Sequence, residues 1–128
     1  MSEEEFFERL MDQIDQPYHR GRLAEPTQAV EIANPICGDQ VRLEVKVADN
    51  QIMEAWFTGQ GCVISQASAS LLTQHLEGKP LEMLREFHEA DMLALVGVRL
   101  TPNRQRCALL SWSALRGVLS QVPKGNDK

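Results

Sequence analysis

Long apolar runs, basic clusters and close cysteine pairs are all missing from this 128-residue chain, and each absence removes a class of function. A bilayer span needs about 20 consecutive apolar residues, and no stretch approaches that, so no membrane role is expected. Lys and Arg number 13 against 18 acids, a net charge of -5, and they never gather into a run. Nucleic-acid and anionic-membrane surfaces require concentrated positive charge, so neither partner is expected. The chain opens Met1-Ser2-Glu3-Glu4-Glu5, acidic where a secretory leader is basic. A cytoplasmic location is the expectation, and there thiols stay reduced and serve metals or chemistry more often than disulfides.

The 3 cysteines, Cys37, Cys62 and Cys107, cannot pair completely, and separations of 25 and 45 positions match no zinc-finger spacing. Spacing alone leaves the small buried hydrophobe as the ordinary role of each thiol. The length suits one domain, assigned to residues 1–122, with 123–128 as a frayed tail.

Ser2 and Glu5 form a capping-box pattern ahead of Phe6, Phe7, Leu10, Met11 and Ile14 at helical spacing, and Pro17 ends that helix. Ala29–Ala33, between Pro26 and Pro35, reads as an edge strand. Val41, Leu43, Val45 and Val47 alternate with Arg42, Glu44 and Lys46, and after Ala48-Asp49-Asn50-Gln51 a second strand returns from Ile52 to Thr58. Gly59 and Gly61 stop it. A helix follows Cys62 along Ile64, Ala67, Ser68, Leu71, Leu72 and His75 to Gly78, and its small residues suit close approach to another backbone. Two short helices and, after a turn at Thr101-Pro102-Asn103, a C-terminal helix opened by Cys107 complete the order. The predicted class is α+β, a small three-stranded antiparallel sheet with helices packed mainly on one face.

In an extended backbone Cys37 and Asp39 face the same way, offering a soft thiolate and a hard carboxylate to one centre. Cys62 stands where a glycine loop meets a helix, and Cys107 beside Arg104 and Arg106; helix N-termini and positive neighbours both favour thiolates. Three thiolates and a carboxylate make a tetrahedral set for zinc, and also suit an iron-sulfur cluster that must be released.

Asn34-Pro35-x-Cys37-Gly38-Asp39, Gly59-x-Gly61-Cys62-x-Ile64-Ser65-x-Ala67-Ser68-Ala69-Ser70 and Arg106-Cys107-Ala108-x-Leu110-x-Trp112-x-Ala114-Leu115 together resemble the U-type iron-sulfur scaffold family of IscU, SufU and the NifU N-terminal domain. The resemblance covers essentially the whole chain. It implies a site built from Cys37, Asp39, Cys62 and Cys107, holding zinc or iron or a transient [2Fe-2S] cluster. It implies as partners a cysteine desulfurase that supplies sulfur and apo iron-sulfur proteins that receive the cluster. The protein would then be a scaffold rather than a turnover enzyme. The alternative is a zinc-dependent sulfurtransferase of SufU type, in which Cys107 accepts persulfide. The Ile64–Ser70 run and the Arg106-Cys107 pair are similar to SufU, whereas the 44 residues between Cys62 and Cys107 give an IscU-like length. IscU-type chains carry histidine before the last cysteine; Arg106 stands here and cannot ligate, which makes Asp39 the expected fourth ligand. His19, His75 and His88 are outside the ligand set, His19 and His88 being read as solvated and His75 as packing.

Overall fold

Alternation along the middle of the chain determines where everything else can pack. A computed structural model describes residues 2–34, 38–97 and 100–122. In it β1 (Gln28–Asn34), β2 (Asp39–Ala48) and β3 (Gln51–Gln60) form one antiparallel sheet in sequence order. Val41, Leu43 and Val45 of β2 and Ile52, Ala55 and Phe57 of β3 point to one face and are buried. The intervening residues face the other way, with a register shift at Lys46/Val47. Asp49 and Asn50 turn the β2–β3 hairpin at positive φ (53° and 61°), a conformation that Asp and Asn tolerate better than most residues.

The helices cover the apolar face. α1 (Glu3–Asp15) starts at the expected capping box of Ser2 and Glu5 and buries Phe6 and Leu10. α2 (Val63–Leu76) lies at the centre, between α1, α5 and the sheet. Its residues Ile64 to Thr73 are all buried, so the single stripe expected for it is widened to the full circumference. The short α3 (Leu81–Arg85) and α4 (Glu89–Val96) follow, and α5 (Pro102–Gln121) lies across α2, β1 and β2. Gly117 lets α5 approach β1 closely, since a Cβ there would stand 2.9 Å from a methyl of Val30. The residues expected as a tail, 123–128, lie outside the described residues. Among the described residues no helix is long and apolar enough to cross a membrane.

Two features depart from the sequence expectations, the start of α5 and the surroundings of His19. Thr101-Pro102-Asn103 is the start of α5 rather than a turn before it: the Thr101 side chain accepts from the Arg104 amide and Pro102 takes the first helical position. Pro is suited there because its missing N–H would have had no helical partner. The connection from Tyr18 to Thr27 is irregular and forms a strap over the polar face of the sheet. It pairs with the edge of β3 through the Phe57 amide to the His19 carbonyl (3.1 Å) and the Gly21 amide to the Phe57 carbonyl (2.7 Å), and it ends with the Thr27 amide on the Val45 carbonyl. His19 is not solvated as expected. Its ring stacks on Trp56 at 4.4 Å, and its Nδ1 lies 2.8 Å from Glu77 Oε2, at the C-terminal end of α2. The same carboxylate accepts from Tyr18 Oη and, at 2.9 Å, from the Ala55 amide. His75 packs as expected, against Phe87 at 4.8 Å.

Glu44 pins the middle of the strap from below. Its side chain is 3% exposed and accepts from the Leu23 amide (2.8 Å) and from Arg42 Nε (2.7 Å). Burial alone would raise its carboxyl pKa, but the bonds from Arg42 and Leu23 and the charges of Arg42 and Arg22 outweigh it and hold it below the usual carboxylate range. A depressed folded-state pKa means that the stabilisation is present above the unfolded value and is lost as pH falls through the folded one. Glu44→Ala should therefore lower unfolding free energy at pH 7 by about 2 kcal/mol, with the deficit shrinking below about pH 4, as read by urea titrations across that range.

Candidate metal centre

The chemistry-bearing residues meet at one end of the sheet, where β2 begins, β3 stops and α2 starts. Asp39 is the first residue of β2, held in register opposite Asn34, and is 2% exposed. Cys62 is the N-cap of α2, with its sulfur accepting from the Ser65 amide at 3.4 Å and its carbonyl from Ser65 Oγ at 3.0 Å. A thiol in this position meets helix N–H groups that lack carbonyl partners, as the sequence reading expected. The Cys62 amide donates to Asp39 Oδ1 at 2.9 Å, and its Sγ lies 3.5 Å from Asp39 Oδ2. Cys107 comes in from α5. The ligand atoms of Asp39, Cys62 and Cys107 all lie within 4.8 Å of one another.

Two glycines make room for this arrangement. Gly61 sits at φ 133°, and a Cβ there would overlap Asp39 Oδ1. A Cβ on Gly59 would overlap the Gln40 carbonyl. In the sequence this Gly-x-Gly pair marks the end of a strand, a loop into Cys62 and part of the motif that resembles the scaffold family. Gly61 also lets Asp39 reach the sulfur of Cys62, while Gly59 lets β3 lie against the Gln40 carbonyl and Gln66.

Three sequence arguments about the site need correction. Cys107 does not open α5: with Pro102 at the first position, it lies in the second turn, away from the unpaired amides. Neither arginine holds it as thiolate. Arg104 lies with its guanidinium 5.9 Å from the Phe7 ring centre, and Arg106 is exposed. Burial, then the hydrogen bonds and negative charges of Cys62 and Asp39, push the Cys107 thiol well above its usual range. The extended Cys37-Gly38-Asp39 geometry is not kept either, since Gly38 has φ 77° and donates its amide to the Asn34 carbonyl at 2.8 Å. Cys37 itself lies outside the described residues.

The donor set fits a thiophilic cation. Two thiols and a carboxylate this close repel one another when ionised, and protons or a metal must hold them together; zinc and iron-sulfur clusters both take such sulfur-rich donors. One side of the group is buried at Asp39 and the other reaches solvent at Cys62, which leaves an open approach for a further ligand.

With this geometry in hand, relatives can be compared. The profile of the NifU-like N terminal domain matches residues 5–127. The chain is 35% identical to the zinc-dependent sulfurtransferase SufU of Bacillus subtilis, with 91% of this chain and 90% of that one covered. It is 33% identical to the iron-sulfur cluster assembly scaffold protein IscU of Streptococcus pyogenes, covering 88% and 80%. Among solved structures, FiSufU from Fervidobacterium islandicum superposes with a TM-score of 0.71 at 26% identity, over 92% of this chain and 99% of that one.

Two outcomes test the geometry. Gly61→Ala should weaken zinc binding by about tenfold or more with helix content retained, as measured by competition with a chromogenic chelator and circular dichroism. In chelator-treated protein at pH 8, iodoacetamide should modify exposed Cys62 first. Cys107 should lag because its raised pKa leaves little thiolate, and it should catch up as pH rises; peptide mass spectrometry reads the order.

Proposed function

The chain belongs to the family of NifU-like N-terminal domains, and on that premise we propose that it is an iron-sulfur cluster assembly scaffold, taking sulfur from a cysteine desulfurase and assembling a transient [2Fe-2S] cluster for delivery to apo-proteins. The observation that carries this reading is the meeting of Asp39, Cys62 and Cys107 within 4.8 Å at a solvent-accessible rim. Cys37 joins them as the fourth ligand in this reading. Two residues from Asp39 in sequence, it is restricted by chain geometry to within about 7 Å of it, Cα to Cα. The cluster is cargo, and the site's task is to hold it and let it go. Asp39 suits that task because an oxygen ligand binds a thiophilic centre less firmly than a fourth thiolate would.

Sulfur arrives by thiol chemistry. The Cys107 thiolate attacks the outer sulfur of the donor's persulfide, the donor's S–S bond breaks, its cysteine leaves as thiolate, and Cys107 becomes the persulfide. No net oxidation occurs. A raised Cys107 pKa keeps this nucleophile protonated until a cation or a change at Cys62 and Asp39 removes the opposing negative charge.

A second reading has its own support. The 35% identity to the Bacillus subtilis protein named as a zinc-dependent sulfurtransferase, and arginine rather than histidine before Cys107, favour a form in which zinc occupies the site and Cys107 leaves it to accept persulfide. Alanine production by the same organism's cysteine desulfurase, measured with the zinc-loaded chain under reducing conditions, separates the two. The scaffold reading expects little stimulation by the zinc form, visible charge-transfer absorbance once iron and sulfur are supplied, and a changed cluster lifetime in Asp39→Ala. Strong stimulation by the zinc form with no cluster absorbance would replace it with the sulfurtransferase.

A further inference from the structure

Outside the site, α1 carries an exposed face that neither packing nor metal binding uses. Phe7 and Met11 stand one turn apart and are 38% and 44% exposed, although Phe6 and Leu10 on the same helix are buried. Beside them Glu4, Glu8 and Asp12 form a parallel row at four-residue spacing. The two rows together form one solvent-open patch on α1. Among the described residues none of these three carboxylates takes part in an ion pair. Like charges four apart on a helix destabilise it by a few tenths of a kcal/mol per pair, so local helix stability does not account for the row.

The face adjoins the helix that carries Cys107. Arg104 covers Phe7, and Arg104 and Cys107 are three residues apart on α5, neighbours on one helix surface. A protein that brings its persulfide sulfur to within bonding reach of Cys107 must lie against the surface around that rim. We propose that the exposed face of α1 seats the sulfur donor, through a donor segment that sets apolar side chains on Phe7 and Met11 and lysines or arginines opposite Glu4, Glu8 and Asp12. Charge selects this occupant. A second copy of the chain would oppose one acidic row to another, while a basic segment neutralises it. The inference rests on the sulfur-accepting part of the function proposed above.

The test follows transfer of sulfur from the persulfide-loaded desulfurase to the intact chain, read by the mass of the chain at increasing chain concentration. Two variants, Phe7→Ala/Met11→Ala and Glu4→Gln/Glu8→Gln/Asp12→Asn, change only α1 side chains with no place in the site. Each should raise the KM for the chain by about fivefold or more with kcat and zinc content unchanged. Raising NaCl from about 50 to 500 mM should raise the wild-type KM and leave that of the neutralised variant nearly constant. Unchanged KM in both variants, with wild type accepting sulfur normally, overturns the docking face and leaves the functional reading standing. Slower cluster delivery to a recipient with donor KM unchanged also overturns it, as does a wild-type dimer in sedimentation that Phe7→Ala/Met11→Ala dissolves. A wild-type chain that accepts no sulfur at all refutes the functional reading itself, and the docking face with it.

Discussion

The hydrogen bond from the Cys62 amide to the Asp39 carboxylate is the joint on which the site depends. It ties the first residue of β2 to the cap of the central helix, and so couples a register set by apolar alternation to a helix placed by burial. Neither partner could be moved alone. Shifting β2 by one residue would turn Val41, Leu43 and Val45 to the polar face and carry Asp39 away with them. Moving α2 would uncover a helix buried over most of its length. The site therefore inherits its geometry from the core, and the glycine at position 61 supplies the clearance that lets the two meet.

The third member is held more loosely in kind, though not in place. Cys107 is fixed by α5, whose contacts run to β1, β2 and α2, yet its thiol faces two other acids without a helix terminus to support its anion. Asp39 and Cys62 are bound to each other through backbone and side chain, while Cys107 answers to their charge. This asymmetry gives the three ligands different chemistry: a buried oxygen, a capped sulfur at the surface, and a sulfur whose reactivity depends on what the other two hold.

Much of this was legible in the sequence, for reasons that can be named. The alternation from Val41 to Val47 contains its own register, the Ser2/Glu5 box its own helix start, and the flanks of the three cysteines enough identity to suggest the family. Spacing could not say that Asp39, Cys62 and Cys107 converge, because convergence depends on the packing of α5 over α2. Thr101-Pro102-Asn103 was ambiguous in principle, since the residues that favour turns also cap helices. Arg104 sits beside Cys107 in sequence, but helical geometry sends its guanidinium to Phe7. The strap has no local signature in the sequence, because its ties, Leu23 to Glu44 and His19 to Glu77, span 21 and 58 positions.

Those long ties bear on how the protein is made. α1 precedes α2 in the chain, so during synthesis Phe6 and Leu10 stay bare until α2 follows. Tyr18 and His19 cannot be fastened before Glu77 has been synthesised. Between the synthesis of α1 and that of Glu77, the nascent protein thus carries an unpaired apolar helix. Its exposure to proteases, aggregation and chaperones is set by translation speed over that interval rather than by the stability of the finished fold.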